Sequence, residues 1–168
     1  MPLPTALSGD AARTAPALGT VLVAVATLGL TAGAGAAQAS CTFLMPVGGG
    51  GQPVVEKRIS PPGGVFTRSN WNTDFAVNRS FASYRIHLQS ASSDQGVFPV
   101  AAFLRFTDNT EFRLFTENVT LEPEQRRSFG PFPAVPIRRT NLVNVRVGAT
   151  NMPGSIGFSY RVSVEGCD

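Results

Sequence analysis

Histidine, tryptophan and lysine each occur once in this 168-residue chain, as His87, Trp71 and Lys57, and cysteine occurs twice, as Cys41 and Cys167. Two isolated cysteines with one histidine between them match no zinc-ligand spacing. A serine hydrolase needs its histidine between a buried carboxylate and an activated serine. No Gly-x-Ser-x-Gly turn is present, and Gly154-Ser155-Ile156-Gly157 has the wrong order. The glycine run from Gly48 to Gly51 lacks the Gly-Lys-Ser/Thr of a phosphate-cradling loop and reads as a flexible spacer. Asp108, Asn109 and Glu111 lack the twelve-residue calcium-loop pattern. Helical signals are nearly missing after residue 40, because prolines at 46, 53, 61, 62, 99, 123, 131, 133, 136 and 153 interrupt any long helix.

What is present begins with an export signal. Between Thr14 and Gln38 the residues Leu18, Val21, Leu22, Val23, Val25, Leu28 and Leu30 form a short apolar core, and Ala37-Gln38-Ala39 fits the small-x-small pattern of a signal peptidase site. Residues 1–39 are therefore expected to be a cleaved signal peptide and the protein to be secreted. An acylated Cys41 would want an aliphatic residue where Gln38 stands. A retained membrane anchor would need about 20 strongly apolar residues, whereas this run is largely Ala, Gly and Thr outside its centre. No membrane span is expected once the signal is removed.

Exported chains meet an oxidising environment, so Cys41 and Cys167 are expected to form one disulfide joining the two ends of the mature chain. Closing so long a loop removes up to about 5 kcal/mol of unfolded-state entropy. About 128 residues remain, enough for one domain with a single core. Asp10 and Arg13 are the only charged side chains before residue 40, so the net charge of +3 carries over to the mature chain. A balance this small and dispersed gives no expectation of nucleic-acid binding, although it favours anionic polymers over cationic ones.

The organising pattern of the mature chain is alternation with period two, which marks strands with one buried face. Ile156, Phe158, Tyr160, Val162 and Val164 share one face, as do Val143, Val145 and Val147, and Tyr84, Ile86 and Leu88. His87 falls on the polar, solvent-facing side between Arg85 and Gln89. Further strands are expected at 54–59, 65–68, 75–77, 97–107 and 111–116, with a short one at 127–129. The runs around Asp108-Asn109 read as a hairpin. A three-residue loop at Thr107 to Asn109 sets Leu104 against Phe112 and Arg105 against Glu111, whereas a two-residue loop would mix faces. The fold expected is all-β: a single antiparallel β-sandwich over residues 53–168, of jelly-roll or immunoglobulin-like topology, preceded by a flexible segment at 40–52 that carries Cys41.

Three clusters are candidates for function. Trp71 stands between Asn70 and Asn72, where an indole face could stack on a sugar with amides beside it; its ordinary reading is a core tryptophan at the start of a strand. Arg126-Arg127 and Arg138-Arg139 flank the proline-rich stretch 131–136, and guanidinium groups suit phosphate or carboxylate partners; their ordinary reading is solvated arginines around a connecting loop. Paired carboxylates of the glycosidase kind come third. Glu111 and Glu117 would share a face on a regular strand but stand about 20 Å apart, beyond the roughly 5 to 10 Å that hydrolysis uses. Glu122 and Glu124 flank Pro123 in a turn. Asn78-Arg79-Ser80 and Asn118-Val119-Thr120 match glycosylation acceptors. The expectation is a monomeric, non-catalytic binding or structural module without cofactor or metal. Its partner would be an envelope polysaccharide or an anionic polymer, or else a protein that the Pro131 to Arg139 loop meets, with the chain acting as an inhibitor or adhesin. A secreted hydrolase with carboxylates from separate strands is the remaining alternative.

Overall fold

The computed structural model describes residues 40–60, 72–148 and 156–168. The signal segment, the strand expected at 65–68, Asn70 and Trp71 lie outside the described residues. Among the described residues there are ten strands and no helix: β1 (Cys41–Phe43), β2 (Met45–Pro46), β3 (Val55–Arg58), β4 (Asn72–Ala76), β5 (Ser83–Ser90), β6 (Gly96–Phe106), β7 (Glu111–Leu121), β8 (Arg126–Pro133), β9 (Thr140–Val147) and β10 (Ser159–Cys167).

They form two antiparallel sheets. Sheet A runs β10-β5-β8, with β1 and β3 sharing the free edge of β10; sheet B runs β2-β4-β9-β6-β7. The pairs β3·β10, β4·β9, β5·β8 and β6·β7 are those of one long hairpin rolled up on itself, which is the jelly-roll wrapping rather than the immunoglobulin one. The alternation explains the core. Tyr84, Ile86 and Leu88 of β5 and Tyr160, Val162 and Val164 of β10 face Phe98, Val100, Ala102 and Leu104 of β6 and Val143, Val145 and Val147 of β9, all at most 1% exposed.

The stretch 40–52 is not simply a spacer. Cys41 lies directly opposite Cys167 in the β1·β10 ladder, and their sulfurs are bonded across 126 positions of sequence. Buried Leu44 then carries the chain from sheet A to sheet B, its N–H donating to the Val164 carbonyl at 2.8 Å, and β2 pairs with β4. Two- and three-residue strands are too short for a periodic signal, so they were legible only as a segment carrying a cysteine.

The hairpin has the register that face-matching demands. Leu104 pairs with Phe112 and Arg105 with Glu111, whose side chains meet at 3.1 Å, and Asn109 takes a left-handed φ of 63° at the end of the three-residue loop. Farther along β7 a bulge inserts Leu114 between the pairs Phe103·Arg113 and Ala102·Phe115. The extra residue reverses the alternation. Glu111 therefore lies on the outer face, while Glu117 pairs with core-facing Val100, so the two do not share a face as a regular strand would require. Phe115 turns inward and stacks on Phe129 and Phe132 of β8, with ring centroids 4.5 and 5.3 Å away. Together with the Glu117–Arg127 ion pair, this stack closes the side of the sandwich where the two edge strands meet.

The proline-rich stretch is also more regular than its composition implies. Pro131 and Pro133 belong to β8, which among the described residues pairs only with β5, so the missing N–H groups remove nothing the fold requires from an edge strand. The connecting loop is therefore confined to residues 134–139.

Candidate functional site

The loops 77–82 and 134–139 and the β6–β7 hairpin tip gather at the end of the sandwich that also holds the C-terminus. Backbone bonds fix them there: Ala82 N–H to the Cys167 carbonyl and Ala134 N–H to the Ala82 carbonyl, both 2.8 Å, and Thr107 N–H to the Arg139 carbonyl, 3.1 Å. Between the first two of these loops lies a cleft of about 590 Å³, with Ala82, Ala134 and Val135 among its lining residues and Arg79, Arg138 and Arg139 around its walls.

Two of the three arginines already have partners. Arg79 grips Asp168 through both terminal nitrogens, at 2.8 and 3.0 Å, and lies over the Phe81 ring with 4.1 Å between guanidinium carbon and centroid. Arg138 pairs with Asp108 at 2.7 Å, donates to the Thr110 hydroxyl, and covers the Phe106 ring at 3.9 Å. These bonds make both carboxyls stronger acids. Donation from the Thr110 hydroxyl and N–H, then from Arg138, pulls Asp108 from its ordinary 3.8 down to about 2, and Arg79 lowers Asp168. A depressed carboxyl stabilises the fold above its unfolded value and ceases to as pH falls through its folded one, so the Asp108 contribution is lost between about pH 4 and pH 2. Above that window Arg79 and Arg138 stay neutralised. The Arg139 side chain has no hydrogen bond or ion pair among the described residues and gives the cleft its uncompensated positive charge.

Arg126 and Arg127 sit at the other end of β8, whose eight residues span about 25 Å. Arg127 is paired with Glu117 and lies over Phe129, and Arg126 donates to Gln89 at 3.3 Å on the outer face of sheet A. The two arginine pairs are thus not one site. Asn72 opens β4, is exposed, and accepts a 2.6 Å bond at its carbonyl from Lys57, whose pKa is lowered by burial against the opposing pull of Asp74.

His87 is on the outer face of sheet A, as its position in the alternation requires, but it is less free than a solvent-facing residue. Its side chain is 17% exposed, with Nδ1 2.7 Å from the Ser128 hydroxyl and Nε2 3.1 Å from Glu165, the latter without hydrogen-bond alignment. This cross-strand arrangement ties β8, β5 and β10 together. It was invisible in the sequence because Ser128 is 41 positions away. Other carboxylates are likewise engaged: Arg161 bridges Glu56 and Glu124 at 2.8 and 3.2 Å, and Glu111 is shared by Arg105 and Arg146. On the outer face of sheet B, Arg146 continues this pattern through Asn144 to Asp74.

Fold and cleft define a small disulfide-linked jelly-roll sandwich with a basic cleft at one end. No protein-family model matches the chain, and no curated protein does. Among solved structures it is similar to the C-terminal family 22 carbohydrate binding module of Clostridium thermocellum Xyn10B, at 12% identity and a TM-score of 0.37 over 78% of this chain and 86% of that one.

Proposed function

We propose that this chain is an exported, non-catalytic binding module that holds an anionic polymer at the cleft beneath the β8–β9 loop. The observation that carries the reading is the Arg139 side chain, unpaired among the described residues, at a cleft of about 590 Å³ whose other two arginines are neutralised in place. A guanidinium with its N–H donors unused is suited to a carboxylate or phosphate, and its field raises the local concentration of anions. The ion pairing of most glutamates with arginines supports a binding role over carboxylate-pair hydrolysis.

The test is retention of the purified protein on immobilised polygalacturonate and polyglutamate across a salt series. Retention should weaken steadily as salt shortens the reach of the charges, and R139Q should elute at lower salt than the unmodified protein. Retention indifferent to both salt and R139Q would contradict the reading.

A further inference from the structure

We infer that the partner of this cleft is an acidic polypeptide segment, one in which carboxylate and apolar side chains alternate, and that Ile137 at the tip of the β8–β9 loop is its apolar contact. The inference rests on the anion-binding reading above and narrows it.

Ile137 is the most exposed large apolar residue described, at 107%, and it holds a left-handed φ of 61°. A β-branched side chain pays for that conformation in strain, and glycine or asparagine would adopt it more easily while exposing nothing apolar. The turn that presents it is pinned by the Arg138 N–H to the Val135 carbonyl at 3.4 Å, and Pro136 stiffens the approach. A stiff loop loses little entropy when a partner docks. A strained, fully solvated isoleucine beside a free arginine therefore presents one apolar contact and one positive charge side by side.

The same cleft is poorly built for sugar. Carbohydrate recognition of the stacking kind needs an open aromatic face, but Phe81 and Tyr84 of the lining are 6% and 1% exposed, and the arginine walls cover the rings of Phe81 and Phe106. A densely charged polysaccharide would also want a track of uncompensated cations. Here Asp108 and Asp168 cancel two of the three arginines, leaving, among the described residues, a single uncompensated charge next to an apolar tip. That combination fits a mixed acidic and apolar peptide.

The experiment measures the affinity of the intact protein, by fluorescence anisotropy, for three labelled probes of equal charge: a peptide alternating glutamate and leucine, an oligoglutamate and an oligogalacturonate. The variants are R139Q and I137N, the latter chosen because asparagine tolerates left-handed φ and so preserves the loop. The glutamate-leucine peptide should bind tightest. I137N should weaken that peptide about tenfold, as expected for losing one buried aliphatic contact, while leaving the oligogalacturonate unchanged. R139Q should weaken all three. Equal binding of all probes with no effect of I137N would overturn the peptide inference and leave the anion-binding reading standing. Binding of no probe, or indifference to R139Q, would overturn both.

Discussion

Replacing both cysteines, C41A/C167A, should lower stability by about 2–5 kcal/mol and the melting temperature by roughly 10–20 °C. The loop closed by the bond spans 126 positions, so its loss returns nearly the full conformational freedom of the chain to the unfolded state. Alanine is the better replacement than serine because Cys167 is 2% exposed, and a hydroxyl there would be buried at a further cost. Arg79 and Asp168 would still hold the C-terminus, and the β1·β10 ladder would still pair, so the variant should fold at low temperature with its first strand frayed. Denaturant melts of the unmodified protein with and without reductant provide the check. A loss below about 1 kcal/mol would mean that the strand ladder alone fixes the ends.

Phe98→Ala should be at least as damaging, at about 3–5 kcal/mol. Phe98 is fully buried in β6, and its ring meets the edges of Phe158 and Tyr160 with centroids 5.8 and 6.4 Å away. Its surroundings are closed rather than collapsible: a β-carbon added at Gly96 would stand 2.7 Å from Phe158 and 2.9 Å from Phe98, so the backbone here is already in contact with both rings. A cavity in that position cannot shrink by a local shift, and with total stability of about 5–15 kcal/mol the variant would be marginal. Phe98→Leu keeps most of the volume and should cost distinctly less. Denaturant midpoints that fail to separate the two substitutions would mean that this part of the sandwich is loosely packed.

How much of this was legible in advance depends on the kind of signal. The long strands were, because β5, β9 and β10 each repeat an apolar residue at every second position, and the hairpin register followed from matching faces and charges. The bulge at Leu114 was not: nothing in Arg113-Leu114-Phe115 announces that one residue goes unpaired, yet that residue reverses the side on which Glu117 lies. Strands β1 and β2 were missed for lack of length. The choice between jelly-roll and immunoglobulin wrapping was out of reach for a different reason, since it depends on which distant strands pair rather than on local pattern.

The candidate site was half legible. Arg138 and Arg139 could be picked out beside a proline-stiffened loop, but their inequality could not. Arg138 is committed to Asp108 and Thr110 on the hairpin, whereas the Arg139 side chain has no partner among the described residues. Arg79, which completes the walls, carried no signal at all, because its place depends on the terminal Asp168 folding back beside the loop 77–82. Arg126 and Arg127 looked equivalent to the second pair in sequence and are separated from it by the whole length of β8.

The most direct test of the account is to record amide proton–nitrogen correlation spectra of the isotope-labelled protein during titration with oligoglutamate. Binding in the cleft predicts shifts concentrated in residues 79–84 and 134–140 and at the hairpin tip, all of them diminished in R139Q. Shifts concentrated instead around Arg105 and Arg146 on the outer face of sheet B, or around Arg126 at the far end of β8, would contradict it.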